Sequence, residues 1–224
     1  MTWLNDCPEW RARTEREHVP EIDIPTARQQ QLYLHDLVQI HPDWRDWYEV
    51  PSQTPMDMLV FCALARKYLS KPDSIYAEVG TAFGGSLMLA AFSGHPLTRL
   101  VGVDLFDRWV GDATEDKVLK TAKRWNFDAR LMLMKGNMQE VSPRIQDGTI
   151  DMFFVDSDHI YDTVKSDLEH CWPKVKPGGV LVGHDYEFRL PGCIQAVKEW
   201  SEYSRVIIPN ESTMYFVEKE PDNA

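Results

Sequence analysis

From residue 75 onward the chain alternates short apolar runs with helical patterns, and that alternation restricts the fold more than any other feature. Apolar runs stand at 75–79, 99–104, 130–134, 150–155, 179–183, 204–208 and 213–217. Stretches with helical spacing at 85–93, 114–125, 160–171 and 192–203 fill most of the intervals. Strands that alternate with helices predict a parallel sheet covered on both faces. Only residues 209–212 separate the last two runs, too few for a parallel crossover, so an antiparallel hairpin is expected there. The expected architecture is an α/β, Rossmann-like seven-stranded sheet, mostly parallel, with an antiparallel C-terminal hairpin and helices on both faces.

Residues 1–56 read differently: polar, punctuated by proline, and carrying Trp3, Trp10, Trp44 and Trp47. Apolar residues at 33, 34, 37, 38 and 40 predict an amphipathic helix within 26–40, and a second helix is expected at 56–69. The expected division is an N-terminal helical, Trp-rich appendage over 1–56 and one α/β domain over 57–224. The tryptophans either anchor the appendage to the domain or form a lid or substrate wall over a site.

A formal net charge of -11 and no basic stripe argue against nucleic acid or an anionic membrane as the partner. No apolar stretch approaches the length of a bilayer span, and a signal-peptide pattern is lacking. Cys7, Cys62, Cys171 and Cys193 form no C-x-x-C pair, so reduced thiols in a cytoplasmic protein are expected.

The first strand runs into a glycine-rich turn and then an apolar helix, with the pattern Glu78-x-Gly80-x-x-x-Gly84-x-Ser86. Glycines let backbone approach a ligand, and the helix start offers unpaired N–H groups to an anion. A dinucleotide fingerprint wants glycine where this chain has Ala82. An acid able to receive an amino group, with Ser86 and a helix start able to take a carboxylate, suits an amino-acid-bearing ligand better than a pyrophosphate.

Ligands of open α/β sheets bind outside the carboxyl ends of the strands. The second strand ends in Asp104, which either accepts the two hydroxyls of a ribose or caps the next element. After the third strand, Met138 and Gln139 are candidates to line an adenine ring, with a plain loop as the other reading. The fourth strand ends in Asp156-Ser157-Asp158-His159 and the fifth in His184-Asp185-Tyr186. Adjacent parallel strands would bring Asp156 and Asp185 to one sheet edge, where two hard oxygen ligands suit Mg²⁺. His159 and His184 would admit a softer divalent cation. Asp156 could instead hold a cofactor's amino group, and both acids could simply cap helices.

On these motifs, residues 75–186 resemble the class I S-adenosylmethionine-dependent methyltransferases of the catechol and caffeoyl-coenzyme A O-methyltransferase kind. The D-x-D-H-x-Y, P-G-G and H-D-Y pattern over 156–186 is closer still to the bacterial family 24 methyltransferases. The resemblance implies S-adenosylmethionine, its methionine part held by Glu78, Gly80, Gly84 and Ser86, its ribose by Asp104 and its adenine by Met138 and Gln139. It also implies a divalent cation at Asp156 and Asp185, although Tyr186 stands where metal-dependent relatives carry an asparagine ligand. Where the catechol enzyme has a catalytic lysine, this chain has His159, a base suited to neutral pH.

The function expected is therefore methyl transfer to a hydroxyl of a small molecule: a sugar, a natural-product scaffold or a catechol-like phenol. His159 is the expected general base, with His184 as the other candidate. The competing readings are a non-catalytic S-adenosylmethionine-binding or interaction protein and a nicotinamide-dependent oxidoreductase. A homo-oligomer is compatible with all three.

Overall fold

The computed structural model describes residues 54–107, 114–124 and 126–221. The expected helix at 26–40 and the four tryptophans of the appendage lie outside the described residues. Helix α1 (Pro55–Tyr68) opens on a capping box, in which the Thr54 hydroxyl accepts from the Asp57 N–H and the Asp57 carboxylate accepts from the Thr54 N–H. Pro55 takes the first helical turn, where no N–H is needed, and Arg66 and Lys67 sit in the last turn.

There follow β1 (Ile75–Val79), α2 (Gly85–Ser93), β2 (Arg99–Asp104), α3 (Glu115–Arg124), β3 (Leu131–Lys135) and the single turn α4 (Met138–Val141). The chain continues through β4 (Ile150–Val155), α5 (Tyr161–Cys171), β5 (Val175–Gly183), α6 (Pro191–Glu199) and β6 (Tyr215–Glu218). The sheet order is β3-β2-β1-β4-β5-β6, with β1 to β5 parallel and β6 antiparallel to β5. The order reverses between β1 and β4, and a crevice opens at such a switch point.

Every residue of β4 is buried. Its side chains alternate between two cores: Met152 and Phe154 pack with α1 and α2, while Phe153 and Val155 pack with α5 and α6. Phe61 stands edge-on to both Tyr76 and Phe154, which locks α1 onto the first face.

The sheet has six strands among the described residues, not the seven expected. The run at 204–208 is not a strand, because Tyr203–Arg205 winds into a 3-10 turn and Pro209 has no N–H to give a ladder. What remains of the hairpin is one antiparallel bridge, in which Ile207 and Phe216 exchange both backbone hydrogen bonds at 2.9 Å. β5 begins earlier than the expected 179, since Lys176-Pro177-Gly178-Gly179 is a bulge within the strand and not a turn before it.

Candidate active site

The carboxyl ends of β1, β2, β3 and β4 surround a cavity of about 290 Å³, the lower end of the range for small-molecule sites. Gly80, Asp104 and Met138 line it, and Ser157 and Asp158, just past β4, form the opposite wall.

The glycine turn is shaped by its neighbours as much as by its freedom to meet a ligand. Gly80 has φ +91°, and a Cβ there would come within 1.9 Å of the Asp156 carbonyl oxygen. Its N–H donates to Val103 O at 2.9 Å, so the turn is clamped between β2 and β4. Ala82 and Gly84 are also left-handed, with φ 46° and 82°, and Gly84 starts α2 without a side-chain cap.

Asp104 is held from both sides. Its Oδ2 accepts from the Ala82 N–H and its Oδ1 from the Phe106 N–H, each at 2.7 Å. The carboxylate is thereby fixed at the cavity wall, with acceptor capacity left on both oxygens.

Glu78 and Ser86 turn toward each other beneath the turn and are not on the cavity wall. Glu78 is fully buried, and its Oε2 accepts from the Tyr76 hydroxyl at 2.7 Å and the Ser86 hydroxyl at 2.5 Å. Its Oε1 has no hydrogen-bond partner. Burial pushes this carboxyl up to about 8 against the opposing effect of those hydrogen bonds.

Beside the cavity, the ends of β4 and β5 gather Asp156, His184 and Asp185, with one potential ligand atom from each within 4.8 Å of the others. Asp185 Oδ1 lies 3.0 Å from His184 Nδ1, and Asp156 Oδ1 lies 3.4 Å from the same nitrogen. His159 Nε2 stands 2.9 Å from Asp185 Oδ2. The His184 side chain is 2% exposed and that of His159 56%. On its far side, His184 Nε2 meets the Thr213 hydroxyl at 3.0 Å and Asp57 Oδ2 at 3.5 Å.

Burial alone would lower the His184 pKa, but Asp156, Asp185 and Asp57 raise it well above the ordinary histidine range. Burial would raise Asp185, and the His184 and His159 rings bring it below the usual carboxylate range instead. Asp57 is likewise held low, because His184, Ser212 and Thr54 outweigh the effect of burial. Two carboxylates converging with a buried nitrogen are a donor set that fits a divalent cation.

Residues 77–186, which span both the glycine turn and this cluster, match the family model described as a methyltransferase domain. This segment is similar to a methyltransferase domain. A solved structure of a putative caffeoyl-CoA O-methyltransferase from Staphylococcus aureus resembles the chain with a TM-score of 0.61 at 16% identity, covering 86% of this chain and 99% of that one. An O-methyltransferase from Bacillus cereus in complex with SAH gives a TM-score of 0.57 at 14% identity, over 97% and 96% of the two chains. These likenesses are of fold.

An uncharacterized protein of Sinorhizobium fredii is 27% identical over 137 residues, 58% of this chain. The chain spans 15% and 53% of the lengths of two curated relatives that it matches.

Of the positions expected to hold a cofactor, the fold brings Gly80, Asp104 and Met138 to the cavity wall. Glu78, Gly84, Ser86, Gln139 and Asp156 are not among the lining residues. Tyr186, expected to replace an asparagine ligand, packs its ring against Tyr215 with centroids 6.1 Å apart. Burial and the Tyr203 hydroxyl push its phenol up to about 12, so it is neutral.

The wall also holds Asn137, Thr163 and Asp167, which sequence reasoning left unassigned. Asn137 caps α4 in a capping box with Glu140, a pattern readable as N-x-x-E. Thr163 and Asp167 are four apart on α5, hence on one face. Asp167 accepts from the Ser157 hydroxyl, and burial pushes its carboxyl up to about 6. Among the described residues, no helix is long and apolar enough to cross a membrane.

Proposed function

We propose that this chain is an S-adenosylmethionine-dependent O-methyltransferase acting on a hydroxyl of a small molecule, with a divalent cation at Asp156 and Asp185. The observation that carries the reading is adjacency: a cavity walled by a doubly held Asp104 borders a cluster that joins Asp156, Asp185 and His159. When bound, the cofactor would supply a methyl group for in-line transfer to the acceptor oxygen, with the electron pair of the broken carbon–sulfur bond left on sulfur, and a cation held by Asp156 and Asp185 would supply positive charge beside that oxygen.

In this reading Asp104 accepts the ribose hydroxyls with the capacity its backbone donors leave free. Met138 flanks the adenine with Gln139, and the turn from Gly80 to Ser86 meets the methionine part. Glu78, fixed by Tyr76 and Ser86, keeps an unpaired Oε1 near that turn for the amino group.

His159 takes the acceptor's proton. Its Nε2 lies 2.9 Å from Asp185 Oδ2 and in this reading carries its proton toward that carboxylate, so Nδ1 is the nitrogen that receives the acceptor's proton. Asp185 orients the ring and stabilises the imidazolium that forms. His184 is too deeply buried to reach an acceptor, which leaves proton transfer to His159. Alignment of the two reactants contributes as well, since well-oriented intramolecular pairs gain roughly 7–11 kcal/mol.

Calorimetric titration with S-adenosylmethionine and, separately, with NAD tests the cofactor. Binding of the first alone is expected; binding of NAD alone would move the reading to an oxidoreductase. Mass-spectrometric detection of a 14-dalton gain on members of a sugar and phenol panel, stoichiometric with S-adenosylhomocysteine, tests the transfer.

A further inference from the structure

We infer that His184 ligates the divalent cation through Nδ1, beside one oxygen each from Asp156 and Asp185, so that the site favours a transition ion such as Mn²⁺, Fe²⁺ or Co²⁺ over Mg²⁺. The inference deepens the proposed cation site and is tested apart from methyl transfer.

The ring is built into the cluster. Its backbone N–H donates to Val155 O at 3.2 Å, which sets His184 beside the end of β4. Its side chain is 2% exposed, and Nδ1 faces Asp185 Oδ1 at 3.0 Å and Asp156 Oδ1 at 3.4 Å. Both are ion-pair distances, and the buried Nδ1 makes no hydrogen bond. Ligands about 2.1 Å from one ion and at right angles are about 3 Å apart, and Nδ1 stands 3.0 and 3.4 Å from the two carboxylate oxygens.

The opposite ring nitrogen has partners that suit a ligating ring. Thr213 Oγ1 donates its one proton to Asp57 Oδ2 at 3.3 Å, and the same oxygen lies 3.0 Å from His184 Nε2. Nε2 then donates to that oxygen, and a cation bound between the two carboxylates would displace the proton from Nδ1 and take up its lone pair. Asp57 is itself fixed by the Ser212 hydroxyl at 2.6 Å and the Thr213 N–H at 2.7 Å. A ring whose second nitrogen is held by a hydroxyl and a carboxylate has the orientation that metal-ligating histidines require.

The third oxygen ligand of an oxygen-only site is missing. Tyr186 turns its ring to Tyr215 and is not in the Asp156, His184 and Asp185 cluster. One imidazole and two carboxylates then form the set, and imidazole shifts preference from Mg²⁺ toward later divalent ions. The second oxygen of Asp185 stays with His159, so the cation and the base share one carboxylate.

Titration of the metal-free full chain with Co²⁺ and with Mg²⁺, read by calorimetry and visible absorption, tests this. Co²⁺ should bind with one site per chain and at least about tenfold more tightly than Mg²⁺. Asp156→Ala should abolish that site. His184→Asn, which offers an oxygen in place of Nδ1, should weaken Co²⁺ at least about tenfold and erase its advantage over Mg²⁺. In case the variant unfolds, the wild-type Co²⁺ adduct gives a second readout: one far-shifted proton resonance, from the ring N–H, that disappears in D₂O and persists in His159→Ala. Mg²⁺ bound as tightly as Co²⁺, an unchanged His184→Asn titration, or no shifted exchangeable proton would each overturn the inference. S-adenosylmethionine titration of the same samples reports on methyl transfer separately, whichever way the metal result falls.

Discussion

Asp185 Oδ2 lies 2.9 Å from Nε2 of His159, and this contact joins an exposed ring to a largely buried carboxylate. The same carboxylate presents its other oxygen to the cluster interior. If the pair acts as base and orienter, His159→Ala should lower kcat by about 10²–10⁴ while leaving S-adenosylmethionine affinity within about twofold. Steady-state kinetics beside calorimetry make the comparison, and unchanged turnover would remove His159 from the mechanism.

The Asp104 carboxylate is held by two backbone donors, so replacing it removes a fixed acceptor and not a mobile one. Asp104→Ala should weaken S-adenosylmethionine by roughly tenfold to a hundredfold, since hydrogen bonds to a charged group contribute about 1.5–3 kcal/mol. An affinity equal to wild type would place the ribose elsewhere.

Gly80 is demanded by the fold independently of any ligand. Gly80→Ala would drive a Cβ into the Asp156 carbonyl in a backbone conformation that alanine resists. A loss of about 2–4 kcal/mol in urea unfolding is expected from overpacking and left-handed strain together. Gly148 is the control, with φ +68° and no atom within 4 Å of a built Cβ, so Gly148→Ala should cost only about 1–2 kcal/mol.

Glu78 gives the protein a pH dependence of definite sign. Its carboxyl sits at about 8 when folded and near 4.5 otherwise, so between these values the unfolded chain has lost a proton that the folded chain keeps. Stability in the absence of ligand should fall as pH rises through that window and level off above it. In Glu78→Gln the decline in Tm from pH 5 to pH 8 should be shallower. Parallel slopes for the two proteins would show that the native carboxyl is already ionised.

Much of this fold is legible because the relevant signals are local. Residues 150–155 are apolar except for Asp151, and the central strand they make is buried throughout. The stretch at 204–208 ends in three apolar residues, yet the Tyr203–Arg205 turn and Pro209 leave only Ile207 to pair. The turn α4 is too short for its periodicity to register.

At the site, the chemistry-bearing side chains could be named from their strand-end positions, but their partners could not. Asp57 lies far from His184 in sequence, so its place behind that ring depends on α1 packing against the sheet. Ser86 reads as a ligand contact because serine at a helix start so often is one. In the structure its hydroxyl donates to Glu78, a buried acid on the strand just before the turn.

Thr54 caps α1 through Asp57, and Asp57 reaches Ser212, Thr213 and His184. The covalent path from residues 1–53 thus enters the domain at the back of the metal-type cluster and not at a remote pole. Trimming the chain up to or past Thr54 would free a carboxylate that helps to orient His184. The choice of where to begin a shortened version of this protein is therefore an edit to its chemistry, even though no cavity-lining residue is touched.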